Sequence, residues 1–296
     1  MQSPPTYLFC VGATKAGTSW LYDHLAAHPQ CHFRTIKELH YFTMTTPAHF
    51  ENALRAGRDE ISQLKDRSDL DGKAKDWHDR RLGDLRDWQK VLRIKAVDLR
   101  AYTAFLTEGR GEAHVVGDVT PAYALMSGEK LKSLQAVGAD VRLIYLIRDP
   151  LARLWSHVRM IATRVDPQRF GYAALGLMER ILANDLSGEG KGIVARGDYA
   201  AILPKLARSI DPARLLVMFY EDMLTVPGIA KLSAFLGIAP VQADLARRVH
   251  EGQALALTPV MATRARAFLK PQYDYVTSQF ADVPQAWRNN MNEGVA

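Results

Sequence analysis

Residues 7–25 read Tyr-Leu-Phe-Cys-Val-Gly-Ala-Thr-Lys-Ala-Gly-Thr-Ser-Trp-Leu-Tyr-Asp-His-Leu. The apolar run Tyr7 to Val11 follows two prolines and has the length of a buried strand. Gly12 to Ser19 is a glycine loop. From Trp20 the apolar residues recur at helical spacing, and Pro29 closes the helix after His28. Strand, glycine loop and helix together form the first unit of a parallel α/β fold. Backbone N–H groups at such a helix start have no partner within the helix and suit a phosphate. Gly17 lets the backbone approach an anion closely. Lys15 adds a point charge, and Thr18 and Ser19 add hydroxyl donors. The plain alternative is a strand-to-helix turn with no ligand.

The rest of the chain repeats the pattern. Val115–Val119, Val141–Ile147 and Leu215–Tyr220 read as buried strands. Helical spacing fills Tyr172–Leu186, Tyr199–Ser209, Pro227–Leu236 and much of the C-terminus. Alternation of this kind predicts a three-layer α/β sandwich with a central parallel sheet flanked by helices. Residues 51–110 are heavily charged, with Leu54, Ile61, Leu64, Trp77, Leu85, Trp88 and Leu92 interspersed. They read as amphipathic helices with a loop around Asp69 to Gly72, forming either an insertion or lid, or ordinary helical cover. The expectation is one domain over residues 1–296.

Composition narrows the class. With 296 residues, 48% hydrophobic and 24% charged, the chain is neither disordered nor a disulfide scaffold. The net charge of +6 favours an anionic partner without choosing among nucleotide, nucleic acid, acidic glycan and lipid surface. Cys10 and Cys31 are expected as reduced thiols. No stretch approaches a transmembrane length, and Met1 to Pro5 lacks a signal-peptide pattern, so a cytoplasmic location is expected.

Two further motifs carry chemistry. Arg148-Asp149-Pro150-Leu151-Ala152-Arg153-Leu154-Trp155-Ser156 puts a guanidinium at the carboxyl end of a buried strand, where open α/β sheets bind ligands. Asp149 is the expected N-cap and Pro150 the first residue of the next helix. Ser156 follows about two turns in, so Arg148 and Ser156 can converge on one phosphate. The alternative is an Arg148–carboxylate pair with a buried Ser156. Lys37-Glu38-Leu39-His40-Tyr41-Phe42 places a cation, a carboxylate and an imidazole within four residues. Glu38 and His40 share a face of an extended segment, and either can serve as a general base. A solvated polar loop is the alternative.

In order and context these motifs resemble the superfamily of sulfotransferases that use 3′-phosphoadenosine-5′-phosphosulfate (PAPS), in particular the branch of bacterial and heparan-sulfate-type enzymes. The resemblance covers roughly residues 6–240. It implies a P-loop-like fold and a site in which Lys15, Ala16, Gly17, Thr18, Ser19 and Trp20 bind the 5′-phosphosulfate end. Arg148 and Ser156 match the residues that take the 3′-phosphate. Glu38 matches the base, with His40 the runner-up, and Asp118, in Asp118-Val119-Thr120-Pro121-Ala122-Tyr123, matches an acidic residue near the acceptor or Lys15. Arg196-Gly197-Asp198-Tyr199 and Phe219-Tyr220-Glu221-Asp222-Met223 match the closing pattern. Tyr199, Arg196 and Arg264-Ala265-Arg266 are candidates for completing the adenine site.

The implied reaction moves a sulfuryl group in line from PAPS to an acceptor hydroxyl or amine and releases adenosine 3′,5′-bisphosphate (PAP), with no metal. The acceptor is a small molecule, lipid or glycan. Val119 stands where the heparan-type branch carries a basic residue, which weighs against a sulfated-glycan acceptor. Trp77, Trp88 and Trp287 either line the acceptor pocket or pack in the core. No nucleic-acid partner is expected, and an apolar patch on the charged segment is the candidate surface for a homodimer. Two alternatives stand beside this reading. One is a P-loop phosphoryl-transfer enzyme, against which Thr18 occupies the position that motif reserves for lysine. The other is a non-catalytic nucleotide- or nucleic-acid-binding protein.

Overall fold

The computed structural model describes residues 3–66, 70–245 and 252–292. In chain order the elements are β1 (Thr6–Gly12), α1 (Thr18–Ala26), β2 (Cys31–His32), α2 (Pro47–Lys65), α3 (Gly72–Leu92), α4 (Leu99–Thr107), β3 (Val115–Val119) and α5 (Gly128–Ser133). They continue with β4 (Asp140–Ile147), α6 (Pro150–Val165), α7 (Phe170–Leu182), α8 (Glu189–Ala195), α9 (Tyr199–Ser209), β5 (Leu215–Phe219), α10 (Tyr220–Met223), α11 (Val226–Leu236), α12 (Pro259–Gln279) and α13 (Gln285–Asn292).

Among the described residues the strands form one parallel sheet of order β2-β3-β1-β4-β5. The central strands are apolar on both faces because helices cover both. All of β3 is buried, as are Leu8 to Val11 of β1 and Leu143 to Ile147 of β4. The chain leaves β1 for β2 and β3 on one side, then crosses to β4 and β5 on the other. The carboxyl end of β1 therefore lies at the switch point where such sheets bind ligands.

The expected strands and most helices are present with boundaries within a few residues. The two-residue strand β2 was not expected. The expected loop at Asp69–Gly72 falls partly outside the described residues, since Asp69 is not described, and Gly72 already begins α3.

The described residues of the charged segment form α2, α3 and α4, and ion pairs tie α3 to the chain that follows β2. Arg34, just after β2, is held by Asp84 (2.8 Å) and Asp87 (2.6 Å) of α3 and lies over the Phe105 ring. Trp88 packs in a cluster with Tyr41, Tyr102 and Phe105. Trp88 and Trp287 are core residues, whereas Trp77 is exposed. Among the described residues no helix is long and apolar enough to cross a membrane.

Candidate active site

The loop between β1 and α1 closes on itself. Ala16 N–H donates to the Ala13 carbonyl, so that donor is spent inside the loop. Lys15 and Gly17 both have positive φ, 70° and 86°. Gly17 is the N-cap of α1, with no side chain capping the helix. The N–H groups of the first turn therefore face the loop mouth without a side-chain partner. Gly17 is required for a second reason: a Cβ there would overlap the Tyr220 ring. Thr18 is buried and Ser19 partly exposed.

Arg148 closes the other side of this mouth. Its Nη1 donates to the Lys15 carbonyl at 3.1 Å, and its guanidinium lies over the Tyr220 ring, 5.0 Å from the centroid. Tyr220 thus packs against both Gly17 and Arg148. Its place in a site was not evident from sequence beyond its position in the closing pattern. Asp149 caps α6 by accepting from Ala152 N–H at 2.8 Å, with Pro150 in the first turn, as expected. Ser156 is partly exposed on α6.

Electrostatics mark the same place. Lys15 is held below its usual pKa first by burial, then by Arg148, Arg159, Lys37 and Arg164. Its strongest charged neighbours are all cations. His157 is pushed down to about 3 by burial and by Arg153, Arg196, Lys15 and Arg164. Arg153 is buried with its Nη2 on the Ile193 carbonyl (3.2 Å), beside His157 (3.4 Å). Gly197 lies against its guanidinium, where a Cβ would collide. A concentration of positive charge that depresses its own lysine is an environment an anion relieves.

The Lys37–His40 segment holds the second group of candidate residues, and Lys37 is among the cations that act on Lys15. Glu38 Oε1 accepts from Lys37 Nζ at 2.9 Å, and Oε2 lies 3.3 Å from His40 Nε2. Burial would raise the Glu38 pKa, but His40 and Lys37 outweigh it and bring it down to about 2. The carboxylate is not deeply enclosed, with 42% of its side chain exposed. The segment is anchored on both flanks. Thr35 N–H and hydroxyl both donate to Asp84 (2.5 and 2.7 Å), and His40 N–H donates to Thr120 Oγ1 (3.4 Å).

Three expected contacts are placed differently. Asp118 is 1% exposed and accepts hydrogen bonds from Thr120 (2.6 Å), Tyr123 (2.7 Å) and Tyr102 (2.9 Å). It braces the Thr120 hydroxyl that meets His40, and it does not face an acceptor or Lys15. Tyr199 is 0% exposed. Its hydroxyl donates to the Arg148 carbonyl (2.7 Å) and accepts from Arg148 N–H (3.1 Å), so it fixes Arg148 from behind and is closed to an adenine. Trp20 is also buried, stacked on His24 at 5.1 Å with Nε1 donating to the Asp244 carbonyl. It borders a cavity of about 280 Å³ with Asp23, Gln242 and Asp244. Of the C-terminal candidates, Arg264 pairs with Glu179 at 2.8 Å. Among the described residues no cluster of three His, Cys, Asp or Glu side chains has metal-binding geometry.

The model of the Sulfotransferase family matches residues 5–242. No curated protein matches the chain. In fold the chain is similar to the crystal structure of a sulfotransferase from Alicyclobacillus acidocaldarius, with TM-score 0.62, 19% identity, and 97% of this chain and 99% of that chain covered. Two further similar structures are a sulfotransferase domain from the curacin biosynthetic pathway (TM-score 0.49, 19% identity, 83% and 80% covered) and one from the Synechococcus PCC 7002 olefin synthase (TM-score 0.49, 16% identity, 96% of each). The loop of Gly12–Ser19, the Arg148 turn and the Glu38 segment all lie within the matched residues, and the chain belongs to the Sulfotransferase family.

Proposed function

We propose that the protein transfers a sulfuryl group from PAPS to an acceptor hydroxyl or amine and releases PAP. The observation that carries this reading is the loop mouth where Lys15, Arg148 and the uncapped start of α1 meet, with cations as the strongest charged neighbours of Lys15. This donor set fits an anionic ligand. PAPS supplies a sulfuryl group on a bridging oxygen that leaves with the 5′-phosphate.

The chain's residues divide the work. Lys15 and the first-turn N–H groups of α1 face the 5′ end and stabilise the charge that grows on the leaving oxygen. Thr18 and Ser19 hold the adjoining phosphate. Arg148 and Ser156 take the 3′-phosphate and so select this nucleotide over ATP. Glu38 removes the acceptor proton, and His40 orients the carboxylate. As long as Lys37 and His40 both bond Glu38, it is a weak base. Drawing the Lys37 ammonium toward a bound anion frees one carboxylate oxygen and raises its basicity.

The acceptor is read as a small molecule, lipid or glycan, the place of work as the cytoplasm, and the chain as one functional domain. The test is incubation with PAPS labelled in the sulfuryl group and a panel of phenols, sugars, amines and lipids. Labelled product with stoichiometric PAP supports the reading. PAPS left intact with every acceptor, together with transfer of a terminal phosphoryl group from ATP, refutes it.

A further inference from the structure

We infer that the two C-terminal helices support the 3′-phosphate side of the nucleotide site from behind, and that Tyr273 is a positioning residue for Arg148 and Ser156. The inference rests on the donor reading above and assigns a role to residues beyond the family match, which ends at residue 242.

Asp149 is the centre of the arrangement. It is the covalent neighbour of Arg148 and, by accepting from Ala152 N–H, the N-cap of the helix that carries Ser156. Both groups assigned to the 3′-phosphate therefore hang on one turn. Asp149 is 1% exposed, and its carboxylate is held from the C-terminal helices. The Tyr273 hydroxyl of α12 donates to Asp149 Oδ2 at 2.8 Å and accepts from Leu151 N–H at 3.3 Å. The Asn290 side chain of α13 also lowers the Asp149 pKa. Burial pushes the Asp149 pKa up, and the donors from Ala152, Tyr273 and Asn290 oppose it.

A second route reaches Arg148 from the same helices. Trp287 of α13 is 0% exposed and packs against Tyr199 (6.3 Å), Tyr273 (6.2 Å) and Phe219 (5.1 Å). Tyr199 in turn grips the Arg148 peptide on both its N–H and its carbonyl. A buried carboxylate that loses one of its donors must shift or take a proton. Either change loosens the cap and moves Arg148 and Ser156 relative to the loop of Gly12–Ser19. The Arg148 guanidinium itself points away, to the Lys15 carbonyl and the Tyr220 ring. Tyr273 therefore acts through the turn and touches no ligand.

The test uses the full chain and calorimetry with two probes, PAP and adenosine 5′-phosphate, which lacks the 3′-phosphate. Tyr273→Phe keeps the ring packing and removes the hydroxyl. The expected result is about tenfold weaker PAP binding with adenosine 5′-phosphate changed less than about twofold. Asn290→Ala should shift the same ratio in the same direction by a smaller factor. It decides the matter if Tyr273→Phe does not fold. Equal loss for both probes would show a merely structural role and overturn the inference. So would a wild-type PAP preference that both variants keep, or PAP binding that tightens. A wild-type chain that does not prefer PAP over adenosine 5′-phosphate would refute the 3′-phosphate assignment itself, and the inference with it.

Discussion

Glu38 offers the sharpest test of the chemistry. Its two oxygens are engaged by Lys37 (2.9 Å) and His40 (3.3 Å), and its pKa lies at about 2. At pH 7 the free protein therefore holds it ionised by about 10⁵ to 1. Two consequences follow for a base so placed. Glu38→Gln removes the proton acceptor but preserves size, so turnover should fall by about 10²- to 10⁴-fold while PAP affinity changes little. The pH profile of kcat/KM, which reports free-enzyme groups, should show no acid limb from Glu38 in the wild type above about pH 4. The His40 hydrogen bond is the largest of the effects lowering the Glu38 pKa. His40→Asn should accordingly let that pKa rise, moving the acid limb to higher pH. The assay is PAP release from PAPS across pH 4–9 with any acceptor that supports turnover. Near-wild-type turnover in Glu38→Gln would refute the base assignment. If His40→Asn alone abolished turnover, the imidazole would be the base and Glu38 its orienting partner.

Other perturbations separate binding from chemistry. Lys15→Met should cut kcat by about 10² or more with a much smaller loss of PAP affinity, read by comparing turnover with calorimetry. Because the Lys15 pKa is lowered, its charge is complete at low pH and is lost at a lower pH than for an ordinary lysine. PAP affinity should therefore weaken on the alkaline side, and Lys15→Arg should extend binding to higher pH. Gly17→Ala forces a side chain into a positive-φ position against Tyr220. It should cost about 1–3 kcal/mol, measurable by denaturant unfolding. Asp118→Ala strands the Tyr102, Tyr123 and Thr120 hydroxyls and should cost about 1–3 kcal/mol or more in the same measurement. An Asp118→Ala protein of unchanged stability would contradict its role as a brace.

The parts of this site legible in sequence are those governed by local rules. Strand β1, its glycine loop and α1 follow from one apolar run, two glycines and a helical period. The cap of α6 follows from Asp149-Pro150. What escaped depends on packing between distant segments. Strand β2 has two residues, too few for any periodicity. Tyr220 acquires its place because the end of β5 folds against both Gly17 and Arg148. Asp118 and Tyr199 bear side chains suited to ligands, yet the sheet edge and the C-terminal helices enclose them, and their polar atoms are taken up by Tyr102, Tyr123 and the Arg148 peptide. A motif fixes which residue stands at a position, whereas burial decides whether it faces a ligand or braces one that does.

The most direct test of the central claim is calorimetric titration with PAP, without magnesium, beside ADP and ATP, for the wild type and Arg148→Ala. The account predicts selective PAP binding by the wild type and a loss of about 10- to 100-fold in the variant. Preference for magnesium-ATP, or PAP binding unchanged by removal of Arg148, would contradict it.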